Sequence, residues 1–319
     1  MTVITAAIRR GAALPALVTL LLAATSLSAQ TIPLTFDPPD GTAYDLKEVS
    51  RTRTAMGDRD TQEEEMTSTT AIRIEKDSAG YRVRVQPTEL VIRQNGVVVD
   101  NPTLAALRET VFTYRISPAG EMVDIRGYDA FIRAIEATYP AHISQQILSV
   151  YSESDMVAEE VAEWRRRFGN FIGRTVSVGD AWMYGEDFQL PNGTASRHFT
   201  VVEVAGWEGD HLRLVFTYHS DPAVLRDRFA GRLRGNPDDL PGGPGGIAVS
   251  GSGERLIDPA TLLIYGERMA KRIETTVAWN RSTRHDGAGG LRHPPETDTP
   301  ERIPLVIEEQ SEMVFDYRE

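Results

Sequence analysis

The stretch Tyr81-Arg82-Val83-Arg84-Val85 alternates strictly between apolar and charged residues. A period of two is typical of a β-strand that buries one face and leaves the other in solvent. The turn-forming residues Ser78-Ala79-Gly80 precede it, and Asn95-Gly96 farther along is a strong signal for a hairpin turn. This stretch therefore predicts antiparallel strands, and similar patterns extend outward from it in both directions.

The same reading predicts two blocks of strands separated by a helical segment. Between the blocks, apolar residues recur at helical spacing along three successive stripes that begin at Phe131, Ile143 and Val157. The predicted strands are 44–54, 66–76, 81–85, 90–93, 97–99, 111–116 and 121–125 in the first block, and 181–189, 196–205, 211–219, 247–257, 262–279 and 303–317 in the second. The predicted fold class is α+β, a mainly antiparallel β-sheet in two blocks with helices between them.

The predicted organisation has four parts. Residues 1–29 form a signal peptide, 30–42 a proline-rich extended lead-in, 43–170 a β-block with helices, and 171–319 a second β-block. Composition leaves open whether the two blocks make one domain or two. Stretches rich in Gly, Pro and Asp at 236–246 and 281–301 predict loops.

The first 29 residues have the layout of a secretory signal peptide. Arg9 and Arg10 give a basic start, an uncharged apolar run spans 12–24, and small residues lead to a predicted cleavage site after Ala29. The apolar run is too short for a spanning helix, which needs about 20 apolar residues. An uncleaved membrane anchor is the competing interpretation. We expect a periplasmic or secreted protein of bacterial type.

Charge and cysteine content narrow the classes of partner. The chain holds 34 Lys and Arg against 46 Asp and Glu, a formal charge of −12 that becomes −14 without residues 1–29. Such an acidic chain is poorly suited to nucleic acid, because phosphate binding needs clustered cations. There is no cysteine, so we expect no disulfides and no lipid anchor on a cysteine after the signal. The prediction is a soluble exported protein, not an integral membrane protein, held together by its core.

Capping signals place two of the helices. Ser152 with Asp155 resembles a capping box at the start of the third helix, and Gly169 is suited to end it. The basic run Arg165–Arg167 complements the negative end of that helix dipole, or alternatively meets anionic lipid. Asp221-Pro222 is typical of the start of a further short helix.

Register arithmetic suggests one candidate metal site. A turn at Asn192-Gly193 would place Asp187 opposite His198, and a turn centred on Glu208-Gly209 would place His198 opposite His219. Carboxylate and imidazole groups in one row can bind zinc or a similar ion. The same register predicts an apolar opposite face, interrupted by Glu186 and Glu203, that consists of Trp182, Tyr184, Phe199, Val201, Leu212, Leu214, Phe216 and Tyr218. The competing interpretation of the row is a solvent-facing polar ladder, and a single bulge would destroy the row. No catalytic, cofactor or metal residue is assigned on this basis.

Sequence motifs for common catalytic sites are missing. The chain has no Gly-x-Ser-x-Gly elbow, no His-Glu-x-x-His helix and no phosphate loop, and the run at 241–246 lacks the Lys that such a loop needs. We therefore expect a protein that is not an enzyme and needs no cofactor.

The segment Val176-Ser177-Val178-Gly179-Asp180-Ala181-Trp182 resembles a turn of uncharacterised exported bacterial β-rich proteins, in which Val-Gly-Asp-x-Trp opens a second β-block after helices. The hairpin from Tyr114 to Met122 is similar to the earlier hairpin of those proteins. In outline, the layout is also similar to that of periplasmic lipoprotein carriers. The resemblance implies no catalytic residues.

Three functions remain open from the sequence. The first is a non-catalytic envelope protein that works by binding or assembly, with an unknown partner. The second is a periplasmic carrier of a lipid or other apolar ligand, which requires a large apolar cavity between sheet and helices. The third is a metal-dependent hydrolase that uses the row of Asp187, His198 and His219.

Overall fold

In a computed structural model, the described residues are 31–57, 61–99, 102–150, 152–189, 195–234, 246–279 and 301–318. The predicted signal peptide and the predicted loops at 236–245 and 281–300 lie outside them. The strands are β1 (Ile32–Pro33), β2 (Ala43–Met56), β3 (Gln62–Asp77), β4 (Gly80–Gln94), β5 (Val97–Val98), β6 (Phe112–Ile116), β7 (Met122–Arg126), β8 (Thr175–Val176), β9 (Ala181–Gln189), β10 (Ala195–Glu208), β11 (His211–His219), β12 (Ile247–Ile257), β13 (Ile264–Trp279) and β14 (Glu301–Tyr317). The helices are α1 (Pro102–Glu109), α2 (Tyr128–Thr138), α3 (Ala141–Val150), α4 (Glu153–Trp164) and α5 (Pro222–Arg228).

Twelve strands form one antiparallel sheet that does not close on itself. Its order is β7-β6-β4-β3-β2-β14-β13-β12-β11-β10-β9, with β5 on β4, while β1 and β8 make a separate pair. Among the described residues, 56% are in strands and 21% in helices, which confirms the α+β, mainly antiparallel prediction with helices between the strand blocks.

The two blocks of strands are halves of a single sheet. They meet where β14 pairs with β2, in a register that runs from Leu305 opposite Met56 to Tyr317 opposite Tyr44. This pairing joins residues more than two hundred positions apart, so local sequence patterns carry no signal for it.

The predicted caps at the starts of both helices are confirmed. The Ser152 side chain accepts a hydrogen bond from the Asp155 backbone N–H at the start of α4, and Asp221 caps α5 with Pro222 in its first turn. After Trp164 the chain widens into a π-helical turn, Arg165–Gly169. The sequence did not predict that turn or α1.

The sheet has an inner face, covered by α4 and the π-helical turn, and an outer face, on which α5 packs. Phe171 contacts the rings of Trp182 and Phe216 on the inner face. Leu225 and Phe229 cover Phe199 and Val201 on the outer face. No helix among the described residues is both long and apolar enough to cross a membrane.

Charged and polar side chains interrupt the apolar inner face. Along β2, Tyr44 and Leu46 are buried in the core, whereas the next inner-face positions carry polar groups. We call this set of inner-face residues the polar belt: Glu48, Ser50 and Thr52 of β2, Glu309 and Ser311 of β14, Glu267, Met269 and Lys271 of β13, and Gly251, Gly253 and Arg255 of β12.

Candidate functional site

A cavity of about 350 Å³ lies between the polar belt and the helical cover. The π-helical turn brings Arg166 and Arg167 to its edge, together with Glu163 from the last turn of α4. Tyr184, Phe216 and Tyr218 add aromatic surface from β9 and β11. Short π-helical turns are frequent at functional sites because they re-aim neighbouring side chains.

The absence of side chains at two positions of β12 shapes the floor of the cavity. A Cβ on Gly253 would lie 2.8 Å from both the Arg268 carbonyl oxygen and the Met269 sulfur. A Cβ on Gly251 would also meet the backbone of β13, and it would lie 3.1 Å from the Tyr218 ring. Glycine is therefore required here for the close approach of β12 to its neighbours.

Arg255 and Glu267 form a buried ion pair beneath the cavity. The Arg255 Nε donates to Glu267 Oε2 at 2.5 Å, and Arg255 as a whole is 3% exposed. Its Nη1 donates to the Arg167 carbonyl at 2.8 Å, which ties the sheet to the π-helical turn. The guanidinium also stacks between Phe171 and Phe216, 5.2 and 5.1 Å from their ring centroids.

A second ionic group forms within the helical cover. Arg166 Nη2 lies 2.6 Å from Glu163 Oε2, and Arg167 pairs with the other Glu163 oxygen. Burial by itself raises the pKa of Glu163, but the guanidiniums of Arg167 and Arg166 outweigh it and lower that pKa to about 2. Glu163 is therefore ionised at neutral pH and anchors both arginines.

A third polar contact at the cavity joins β9 to β10. His198, only 4% exposed, places Nε2 3.1 Å from Glu186 Oε2 on the inner face. The Thr200 hydroxyl donates to the same carboxylate oxygen at 3.4 Å. Burial by itself raises the pKa of Glu186, but the contact with His198 and, more weakly, Lys271 and Arg166 outweigh that effect, so the net shift of this pKa is downward. Glu186 faces the cavity, and the His198 ring lies behind it against Phe188 and Tyr218.

The predicted row of Asp187, His198 and His219 does not form. In the observed register Arg197 lies opposite Asp187, and His198 lies opposite Glu186. On the other side of β10, Phe199 rather than His198 lies opposite His219. His198 therefore faces inward, while the other two side chains face outward.

Two irregularities cause this error. The connection from β9 to β10 is one residue shorter in register than the Asn192-Gly193 turn requires; that turn itself lies outside the described residues. The next turn is at Gly209-Asp210, and a bulge lies between Val204 and Gly206. A one-residue shift moves every side chain of a strand to the other face.

Asp187 and His219, which face outward, each make a local structural contact. Arg197 donates to both carboxylate oxygens of Asp187, at 2.6 and 2.8 Å, on an exposed edge. His219 Nδ1 accepts a hydrogen bond from the Asp221 backbone N–H at 2.9 Å, next to the start of α5. Within the described ranges, no three His, Cys, Asp or Glu side chains are grouped so as to hold a metal ion.

The same register error misassigned Phe199, Val201 and Glu203. The sequence prediction placed them on one face with Trp182, Tyr184 and the apolar residues of β11. They lie instead on the outer face, where Phe199 and Val201 pack against α5. The apolar residues of β9 and of β11 were each grouped correctly on one face. Alternation within a single strand decides which of its residues share a face, whatever the register with its neighbours.

The cavity residues were not predicted as a site. Glu267, Met269 and Lys271 occupy alternate positions of one strand, a pattern that is also typical of a solvated face. Their inward orientation follows only from the pairing of β13 with β12 and β14. Charged residues on the covered face of a strand indicate a site, but the sequence alone does not show which face is covered.

Comparison with protein-family models and with curated proteins found no match to this chain.

Proposed function

We propose that this chain is an exported, non-catalytic binding protein of the bacterial cell envelope, and that the cavity beneath α4 holds a small polar molecule. The observation that carries the proposal is the polar belt, a row of charged side chains on the covered face of the sheet. The signal-like residues 1–29 support export.

Energetics favour a functional interpretation of the buried charges. Removing an ion pair such as Arg255–Glu267 from water costs several kcal/mol per ion, and a well-packed apolar replacement is often equally stable or more stable. Folding alone therefore gives little reason to place charges there. A cavity with convergent polar groups and some aromatic surface is, by contrast, typical of small-molecule sites.

The lining of the cavity bears on the ligand class. A carrier of an acyl chain needs an apolar cavity between sheet and helices. Here five carboxylates (Glu48, Glu163, Glu186, Glu267 and Glu309) and four cations (Arg166, Arg167, Arg255 and Lys271) face the space. An acyl chain would leave these groups desolvated without new partners, so the lining supports a polar ligand instead.

The test is native mass spectrometry of the full-length protein purified from the periplasm of a bacterial host. We expect the wild-type protein to retain a small-molecule adduct. Ser50→Trp, which fills the cavity from β2, should lose it. Ser252→Trp, at an exposed position on the outer face of β12, is the matched control and should keep it.

The proposal is wrong if the adduct is missing from both wild type and the Ser252→Trp control. Retention of the same adduct by Ser50→Trp would equally contradict a site in this cavity. Circular dichroism of both variants shows whether the fold is intact.

A further inference from the structure

Most charges around the cavity already have a partner of opposite sign. Arg255 pairs with Glu267, Arg166 and Arg167 pair with Glu163, and His198 lies against Glu186. Arg255 and Glu267 carry opposite charges that cancel, and Glu163 together with Glu159 offsets the charges of Arg166 and Arg167. The charges left over therefore decide what the cavity attracts.

Lys271 is the one cavity cation, among the described residues, with no carboxylate within ion-pair distance. Its ammonium group lies 5.1 Å from the centroid of the Tyr218 ring. Glu309 is directly opposite Lys271 in the register of β13 and β14, and among the described residues it forms no ion pair, so it is a further unpaired charge of the cavity. An ammonium group held over an aromatic ring keeps donors free for an anionic ligand group.

Glu48 is the complementary case on β2, two strands away from Lys271 on the same face of the sheet. Its carboxylate has no hydrogen bond or ion pair to the part of the chain that the structure describes. Burial raises the pKa of Glu48, and Arg167 only partly opposes that effect. A carboxylate in this position gains from any cationic group that enters the cavity.

We infer that the ligand is a small zwitterion, with an anionic group held by Lys271 and a cationic group held by Glu48. This inference rests on the proposed binding function and specifies its ligand class. An unpaired cation on β13 and unpaired carboxylates on β14 and β2, all on the inner face of the sheet, match a molecule that carries both charges. A purely anionic ligand would place charge beside Glu48, and a purely cationic one would place charge beside Lys271.

The register sets the length of this zwitterion. Lys271 aligns with Glu309 and then with Thr52, which is four residues from Glu48 on β2. With a strand spacing of about 4.8 Å and a rise of about 3.3 Å per residue, the two Cα atoms lie about 16 Å apart. Both long side chains reach into the cavity, which leaves a charge separation on the order of 10 Å, about the length of an extended tripeptide.

The experiment measures binding of trialanine, and of its N-acetylated, C-amidated and doubly capped forms, to the full-length protein by isothermal titration calorimetry. Free trialanine should bind about tenfold to a hundredfold more tightly than either singly capped form, as expected for one charge-assisted contact at each end. Single alanine, which cannot span both charges, should bind more weakly than trialanine.

Two variants test which residue binds the carboxylate end of trialanine and which binds its amine end. Lys271→Met should abolish the preference for a free carboxylate and keep the preference for a free amine, whereas Glu48→Gln should do the reverse. The capped peptides test the inference on the unaltered protein, so a poorly folded variant does not remove the test.

Equal binding of free and doubly capped trialanine, or no binding of trialanine at millimolar concentration, would overturn the zwitterion. So would variants that lose both preferences together. The adduct experiment with Ser50→Trp tests the binding function separately. If the adduct depends on the cavity but trialanine does not bind, the zwitterionic ligand class is wrong and the binding function stands.

Discussion

The inner face of the sheet contains two kinds of surface on the same strands. On β14, Phe315 and Met313 are buried against the core, yet Ser311 and Glu309, the next inner positions, belong to the polar belt; beyond them Ile307 is buried again. An alternating pattern thus identifies which residues share a face. It does not distinguish a face that is filled by core from one that encloses a site.

The largest loss of stability is expected for a substitution in the apolar part of the inner face. Phe171 is 1% exposed and contacts Trp182, Phe216 and the Arg255 guanidinium. Phe171→Ala should lower the free energy of unfolding by about 3–5 kcal/mol, because it leaves a cavity in a close-packed region. Urea denaturation measures the loss. The exposed Val98→Ala is the control, and equal losses for the two would show that Phe171 is not part of a packed core.

A somewhat smaller loss is expected in the polar belt. Glu267→Ala leaves the Arg255 guanidinium buried without its carboxylate, which should cost about 3 kcal/mol of stability. Replacing both partners, as Arg255→Met with Glu267→Leu, should recover most of that loss in urea denaturation. If the double variant is no more stable than the single one, the pair is needed for folding and the functional interpretation of the belt is weakened.

The ion pairs of Glu163 with Arg166 and Arg167 predict that the stability of the protein depends on pH. The pKa of Glu163 is about 2 in the folded protein against an ordinary value of 4.5, so its stabilisation is complete above 4.5 and is lost as pH falls toward 2. Allowing for solvent screening, Glu163→Gln should cost about 1–2 kcal/mol at pH 7. The gap between wild type and variant should shrink between pH 4.5 and 2. A gap that is constant over this range would contradict the assigned ion pairs.

The smallest effect belongs to the outer face, where charges alternate in solvent. Arg268 contacts Glu312 at 2.8 Å, and both side chains are more than half exposed. Glu312→Gln should change the free energy of unfolding by about 0.5 kcal/mol or less, because water screens such pairs. A loss as large as that of Glu267→Ala would remove the distinction between the two faces.

Local patterns predicted most of the elements. The long strands of both blocks and the caps at Ser152 and Asp221 follow from short-range chemistry. Residues 81–93 were predicted as two strands, but they belong to the single strand β4, with a bulge in its pairing to β3. Propensity alone does not reveal that a strand continues through an irregular pair.

The candidate site depended on information that local patterns lack. His198 was placed in the wrong row because an undetected bulge and an unexpected turn changed the register by one residue. The polar belt was missed because its residues come from distant parts of the chain, and the pairing of β2 with β14 brings them together. A strand pattern specifies spacing within one strand, whereas a site requires the alignment of several.

The position of β14 has a consequence for how the chain matures. It lies between β2 and β13, so a strand more than two hundred residues after β2 completes the middle of the sheet rather than its border. Until β14 pairs with them, β2 and β13 expose unpaired backbone N–H and C=O groups, which can pair with a strand of a second molecule. Contacts of such long range also slow folding. The form in which β14 has not yet paired is therefore the one most exposed to association with a second copy of the chain.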